Sequence, residues 1–215
     1  MKAQPSPRGL LLDWDGTLLD SFSAQVNATR AVFELYGVPW SDARFAAFAT
    51  DWRGHYLAAG IDEMHLADAS AAYRRAYEQQ QTRLRPFARL VLRRLSKAGI
   101  PLAMVTSGAR ERVERELRHR KLQAIFAEVI TYEDVRRPKP SPEGFQLALD
   151  RLRLGPGEVA AIGDTGVDAM TAEAAGVRHL LIRSRYTTAP YLHESLAGWR
   201  AVERLLRRTG FEFEL

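Results

Sequence analysis

Five short apolar runs, set between longer stretches of helical periodicity, constrain this chain more than any other feature. Gly9–Trp14, Pro101–Val105, Ala127–Thr131, Val159–Gly163 and His179–Arg183 read as strands. Between them apolar residues return every three or four positions, which predicts helices over Pro86–Ala98, Ala109–Arg120, Pro142–Leu152 and Val167–Ala175. Ser141 as N-cap with Pro142 at the first helical position marks the start of the third, and Gly99 and Gly176 fit helix C-terminal signals. Strands and helices alternating in this way predict an α/β fold on a parallel sheet.

One connection breaks the rhythm. From Asp20 to about Arg85 the chain runs far longer than a single crossover and carries helical patterns only, around Ser21–Tyr36, Ser41–Thr50 and Met64–Arg83. The expectation is a core of residues 1–19 and 86–215 interrupted by an all-helical cap over 20–85, with hinges near Asp20-Ser21 and Arg85-Pro86. Further on, Tyr191–Thr209 reads as one amphipathic helix, and Phe211–Leu215 alternates like a short edge strand.

With 215 residues, 46% hydrophobic and 27% charged, the chain can fill one cored domain plus an insertion, so a disordered reading is set aside. No apolar run is long enough to cross a bilayer and Met1–Arg8 lacks the apolar stretch of a signal peptide, so a cytoplasmic protein with no membrane partner is expected. Without cysteine, a thiol nucleophile, a disulfide or a thiolate metal site is excluded. A net charge of +5 favours anionic ligands, but arginine is spread along helix faces and alternates with glutamate, as in Glu111-Arg112-Val113-Glu114-Arg115-Glu116. That is the pattern of a solvated face, and no nucleic-acid partner is expected.

The first strand runs into Asp13-Trp14-Asp15-Gly16-Thr17, which puts two carboxylates at the carboxyl edge of the sheet, where ligands of α/β folds bind. A simple turn is the plain alternative, and a calcium loop also opens on alternating Asp. The calcium pattern fails, because its fifth, sixth and twelfth positions would be Thr17, Leu18 and Ala24. The turn leaves unexplained why an apolar strand should end in two acids with no cation to neutralise them. Two carboxylates suit a phosphate ester, which needs an anionic nucleophile at phosphorus and a proton for its poor alkoxide leaving group.

Thr106-Ser107-Gly108 ends the second strand ahead of a helix, where a hydroxyl and backbone N–H groups can meet a phosphoryl oxygen; a plain helix cap explains the same residues. Lys139 lies in Arg137-Pro138-Lys139-Pro140-Ser141-Pro142. In isolation such a lysine would be solvent-exposed. Yet lysine occurs elsewhere only at Lys2, Lys97 and Lys121, and one held between prolines suggests a site that wants a compact point charge. The fourth strand ends in Asp164, with Asp168 close behind; an N-cap would explain one of these acids, whereas a hard cation with oxygen ligands would satisfy both. Mg²⁺ suits best, since it takes few protein oxygens, keeps several waters and bridges to phosphate.

These four elements, in this order, resemble the haloacid dehalogenase superfamily of hydrolases, and the likeness spans the whole chain. Leu18-Leu19-Asp20-Ser21 and Thr171-Ala172-Glu173-Ala174-Ala175-Gly176 are similar to its phosphoglycolate phosphatase and β-phosphoglucomutase branch. The resemblance implies a Rossmann-like parallel core with an inserted helical cap. It implies Asp13 as the nucleophile that forms an aspartyl-phosphate, Asp15 as general acid and base, and Thr106, with its neighbour Ser107, and Lys139 as phosphoryl anchors. It also implies Mg²⁺ held by Asp13, Asp164 and the backbone carbonyl of Asp15, with Asp168 supporting the metal directly or from behind. Dehalogenases in the superfamily lack the second aspartate, so Asp15 counts against carbon–halogen cleavage. Phosphonatases need a cap lysine, and none occurs between Asp20 and Ala88.

The chain departs from the family pattern in three places: Ser107 where Asn is common, Phe87 where Gly follows the proline, and Trp14, bulkier than the common Phe or Leu. Trp14 is read as shaping the leaving-group side of the pocket. Substrate choice would fall to the cap, with Arg53, Gly54 and His55 as candidates in a loop between cap helices; a surface arginine is the plain alternative. The expected function is Mg²⁺-dependent hydrolysis of a small phosphorylated metabolite by a monomer or homodimer. A sugar phosphomutase with the same Asp13 chemistry, and a non-catalytic regulator that binds Mg²⁺ and a phosphorylated ligand, are the alternatives.

Overall fold

A computed structural model describes residues 7–41, 52–185, 187 and 195–208. In chain order the principal elements are β1 (Gly9–Leu12), β2 (Leu19–Asp20), α1 (Phe22–Leu35), α2 (Trp52–Ala58), α3 (Leu66–Glu78), β3 (Arg83–Leu84), α4 (Ala88–Lys97), β4 (Leu102–Val105), α5 (Arg110–Arg120), β5 (Glu128–Ile130), α6 (Glu143–Leu152), β6 (Val159–Gly163), α7 (Gly166–Ala174), β7 (Arg178–Leu181) and α8 (Trp199–Arg208). The chain divides into two compact units, Met1–Leu19 with Leu84–Leu215, and Asp20–Arg83. Among the described residues no helix is long and apolar enough to cross a membrane.

Leu10-Leu11-Leu12 has no polar face to offer water, so its strand is stable only inside a sheet covered on both sides. It lies at the centre of a parallel five-stranded sheet of order β5-β4-β1-β6-β7, the Rossmann-like arrangement. Period-two alternation divides the leucines between the two faces. Leu10 and Leu12 pack with Val91, Leu95, Val113 and Val202 of α4, α5 and α8. Leu11 packs with Phe145, Ala148 and Ala172 of α6 and α7. All three are fully buried, each contributing about 1.5–3 kcal/mol, which fixes the strand that carries the acids. Leu12 pairs with Met104 on one side and Ile162 on the other, so the ends of β1, β4 and β6 share one edge of the sheet. The strand order reverses beside β1, the position at which open α/β sheets bind ligands.

Helix ends follow backbone chemistry. Gly99 and Gly176 take positive φ (72° and 70°) just past α4 and α7. Helix α6 begins at Glu143 with Pro142 as its N-cap, one residue later than the sequence suggests. Phe87 stands where a Gly is common, and its φ of 66° keeps the left-handed turn that glycine would supply. Such a backbone costs a bulky residue about 1–2 kcal/mol. The Arg200 guanidinium, 3.8 Å over the Phe87 ring, offsets part of that by about 0.5–1 kcal/mol.

The tail differs from expectation. Of the helix read over Tyr191–Thr209, residues 191–194 and 209 lie outside the described residues; α8 covers Trp199–Arg208, and Leu196 instead bridges Ile182: its N–H reaches Leu181 O at 2.7 Å and its carbonyl accepts from Arg183 N at 2.8 Å. A chain segment spent on extending the sheet cannot also be helical. Phe211–Leu215 lies outside the described residues.

The second unit packs α1 against α3 through Ala24, Ala28 and Tyr77. Asn27 Nδ2 donates to Gln80 Oε1 at 2.9 Å. Met64–Arg83, read as one helix, is a 3-10 turn at Glu63–His65, then α3 ending at Glu78, then β3. Tyr77 is the last buried residue of α3, and beyond it Gln79–Gln81 have no apolar side chain to dock. Ser41–Thr50, read as a helix, lies outside the described residues apart from Ser41. Arg53, Gly54 and His55 sit within helix α2, not in a loop. Trp52 and Tyr56, one turn apart and in edge contact at 5.9 Å, supply the apolar face that keeps the segment helical.

Candidate active site

After β1 the chain turns back on itself. Leu18 N and Leu19 N both donate to Trp14 O, at 3.0 and 2.9 Å, and Gly16 makes the turn possible with φ of 80°. The strand's alternation sends Trp14 the same way as Leu10 and Leu12, into the core, where it is fully buried. It therefore does not shape the leaving-group side of a pocket, which corrects the sequence reading.

Asp13 points the other way and meets Lys139. Lys139 Nζ donates to Asp13 Oδ1 at 2.9 Å and to Asp168 Oδ1 at 2.7 Å, with all three side chains close to 10% exposed. The lysine is therefore buried in an ion pair, not solvent-exposed. Arg136 N and Arg137 N donate to the Glu143 carboxylate at 2.8 and 3.2 Å, tying the proline loop to the start of α6. Thr17 Oγ1 lies 3.0 Å from Asp13 Oδ2 and 2.9 Å from Asp164 Oδ1, so one hydroxyl bridges the ends of β1 and β6.

Asp13, Asp164 and Asp168 each bring a carboxylate oxygen within 4.8 Å of the others. Burial pushes the Asp13 carboxyl up to about 7; Lys139 opposes the rise, and Asp168 and Asp15 add to it. Burial likewise raises Asp164, helped by Asp13 and Asp168. Burial also works against Asp168, but Lys139 and the Thr165 hydrogen bonds outweigh it and hold that carboxyl below the usual range. Lys139 is raised, the two carboxylates outweighing the cost of burial. Oxygen donors alone, two of them on acids that burial disfavours as anions, fit a hard divalent cation. Asp168 is fully engaged, with Oδ1 on Lys139 and Oδ2 accepting from Asp164 N, Thr165 N and Thr165 Oγ1. Gly163 is obligatory here, since an added Cβ would overlap the Asp168 side chain.

Thr106 is buried at the end of β4, and its Oγ1 accepts from Gly108 N at 3.1 Å. It closes its own turn instead of capping α5, whose N-cap is Ala109. Thr106, Ser107 and Lys139 line one small cavity of about 10 Å³. Ser107 itself is exposed.

The sequence reading missed the partner of Asp15. Arg112 grips both oxygens of that carboxylate, with Nη1 to Oδ1 at 3.0 Å and Nη2 on Oδ2. Its Nη1 also lies 3.4 Å from Glu116 Oε2, which accepts from Trp14 Nε1 at 2.6 Å. Glu116 is thus buried and Arg112 largely so, not part of a solvated face: they flank Val113 and Leu117, the core-facing stripe of α5. Their spacing of four residues beside that stripe was the available signal. Burial raises the Glu116 carboxyl, with Arg112 opposing.

Arg53, Gly54 and His55 belong to the other unit. Arg53 pairs with Glu63, both largely exposed, while His55 is buried and stacks on Phe33 at 5.5 Å. Beside Arg53 is an open cavity of about 330 Å³ that Trp52, Glu63, Ser70 and Arg74 also line.

The family model described as haloacid dehalogenase-like hydrolase matches residues 10–182. Hexitol phosphatase A of Escherichia coli (strain K12) is 33% identical over 198 residues, covering 87% of this chain and 88% of its own. Validoxylamine A 7'-phosphate phosphatase of Streptomyces hygroscopicus subsp. limoneus is 29% identical over 175 residues, covering 78% and 81%. Among solved structures, a haloacid dehalogenase-like hydrolase from Bacteroides fragilis superimposes with a TM-score of 0.78 at 33% identity, covering 87% of this chain and 92% of that one. A match running from the first core strand to the end of the last, joined by a relative one-third identical along most of both chains, places this protein in the haloacid dehalogenase-like hydrolase family, in its phosphatase branch.

Proposed function

We propose that this protein hydrolyses a small phosphate monoester through an aspartyl-phosphate on Asp13, with Mg²⁺ as cofactor. The observation that carries the reading is the buried Asp13–Lys139–Asp168 chain beside Asp164 at the carboxyl edge of the sheet. Asp13 attacks phosphorus, and the ester P–O bond breaks as Asp15 delivers a proton to the departing alkoxide. Asp15, now a carboxylate, takes a proton from water as that water attacks phosphorus; the bond to Asp13 breaks and inorganic phosphate leaves. Lys139 and Thr106, with the neighbouring backbone N–H groups, hold the phosphoryl oxygens. Asp13, Asp164 and the Asp15 carbonyl would hold Mg²⁺, which when bound offsets the charge of the phosphoryl group. Asp168, whose oxygens are all engaged, supports the site through Lys139 and the backbone of Asp164 and Thr165.

The helical unit Asp20–Arg83 is proposed as the cap, with Arg53 the residue most suited to a substrate's second polar group. The hexitol phosphatase relative makes phosphorylated polyols the first class to try. Small phosphorylated metabolites place the proposed work in the cytoplasm. The test is Mg²⁺-dependent release of inorganic phosphate across a panel of small phosphate esters, with Asp13→Asn as control. Turnover lost in the variant supports the reading; no activity on any ester, or an unaffected variant, overturns it. Phosphoryl transfer only to a sugar phosphate acceptor would make the protein a mutase.

A further inference from the structure

The family match stops at residue 182, yet the chain beyond it reaches into the site. Ser184 Oγ donates to Asp164 Oδ2. Thr187 Oγ1 accepts from Ser184 N at 2.9 Å and donates to Asp164 O at 2.8 Å, so the segment is clasped to both the side chain and the backbone of that acid. Trp199, at the start of α8 and 1% exposed, donates from Nε1 to Thr17 O at 2.8 Å. The hydroxyl of Thr17 is the group that bridges Asp13 and Asp164. Arg85, of the same unit, donates to Gly16 O and to Arg183 O, each at 2.6 Å, joining the turn after β1 to the residue before Ser184.

We propose that Ser184 and Thr187 are part of the active site, as positioning residues that fix the Asp164 carboxylate for Mg²⁺. Asp164 is fully buried, and its two oxygens are held from opposite sides, Oδ1 by Thr17 of the first strand's loop and Oδ2 by Ser184 of the tail. Removing either donor frees the carboxylate to rotate, and a cation that demands near-ideal geometry loses a prearranged ligand. The matched part of the chain supplies the acid and holds one of its oxygens; the tail holds the other.

This inference rests on the proposed Mg²⁺ site, and the experiment separates the two. Mg²⁺ binding is measured by calorimetry, without substrate, on the full chain and on Ser184→Ala, Ser184→Thr and Thr187→Val, with thermal midpoints of the metal-free proteins alongside. The expected result is a loss of Mg²⁺ affinity of about 10-fold or more in Ser184→Ala and Thr187→Val. Ser184→Thr, which keeps the hydroxyl, should restore it. In phosphate release the same variants should raise the Mg²⁺ concentration needed for half-maximal rate, with kcat at saturating Mg²⁺ changed far less. Binding by both Ser184→Ala and Thr187→Val within twofold of the unsubstituted protein overturns the positioning role alone. No binding by the unsubstituted protein overturns the Mg²⁺ reading and this inference with it.

Discussion

Lys139→Ala is expected to cost about 3–4 kcal/mol of stability at pH 7 in the metal-free protein, because removing one member of a buried ion cluster leaves the others without compensation. The lysine makes two charge-assisted bonds, to Asp13 at 2.9 Å and Asp168 at 2.7 Å. The two carboxylates do not share the loss equally. Asp13 already stands near 7, so protonating it fully at pH 7 is cheap. Asp168 is held below its ordinary 3.8 largely by Lys139, so it carries most of the penalty. Protonation caps that penalty: at pH 7 a carboxyl with an unfolded value of 3.8 can be neutralised for about 4 kcal/mol, and at pH 5 for about 1.6 kcal/mol. The sign follows. With its lowered value, Asp168 stabilises the parent fold above about pH 4, and in the variant its raised value removes stability as pH climbs from about 4 towards 7. The gap between the two proteins should therefore shrink to about 2 kcal/mol or less at pH 5. Urea unfolding in EDTA at the two pH values, followed by circular dichroism, measures it. A penalty under about 1 kcal/mol at pH 7, or one that does not change at pH 5, would refute the assignment of the cluster's charge.

Three further outcomes follow from the same geometry. In Gly163→Ala the new Cβ falls on Asp168, within 2.7 Å of its Oδ2, so Asp168 must leave its hydrogen bonds; Mg²⁺-dependent phosphate release should fall by at least tenfold, with about 1–3 kcal/mol of stability lost by urea unfolding. Gly108→Ala meets mainly the flexible end of Arg112, so the fold should survive while Arg112 is pushed off Asp15. Steady-state rates for alkyl phosphates should then change more than those for p-nitrophenyl phosphate, whose leaving group needs no proton; equal changes would separate Arg112 from the proton-transfer step. Asp13 and Asp164 are both raised, so their contribution to metal-free stability is fully present below about pH 4 and lost as pH climbs, that of Asp13 through about 7. Mg²⁺ should accordingly bind more tightly as pH rises over that window and release protons on binding, which calorimetry in buffers of different ionisation enthalpy detects.

The residues that end strands were legible because an acid or hydroxyl closing an apolar run is a local anomaly. Asp13, Asp164 and Thr106 could be found that way, and Lys139 stood out as a lysine between prolines in a chain that uses arginine almost everywhere else. Long-range partners carry no such mark. Arg112 and Glu116 sit in a run of alternating charge identical in appearance to a solvated helix face, and only the packing of Val113 and Leu117 turns them inward. Ser184 and Trp199 are unremarkable in sequence; they matter because the chain folds back from the edge of the sheet to the ends of β6 and β1. Trp14 lies two residues beyond Leu12 and so shares that leucine's face, a parity that puts it in the core and away from the site.

Asp13 is the proposed nucleophile that carries the phosphoryl group. This role is tested most directly by quenching the enzyme during turnover of a phosphate ester, reducing with borohydride and reading the peptide that contains residues 9–17 by mass spectrometry. An acyl phosphate on Asp13 is reduced to homoserine at that position, and the account predicts that product in the native chain and its absence in Asp13→Asn. Steady phosphate release with no modification at Asp13, or modification at another acid, would contradict it.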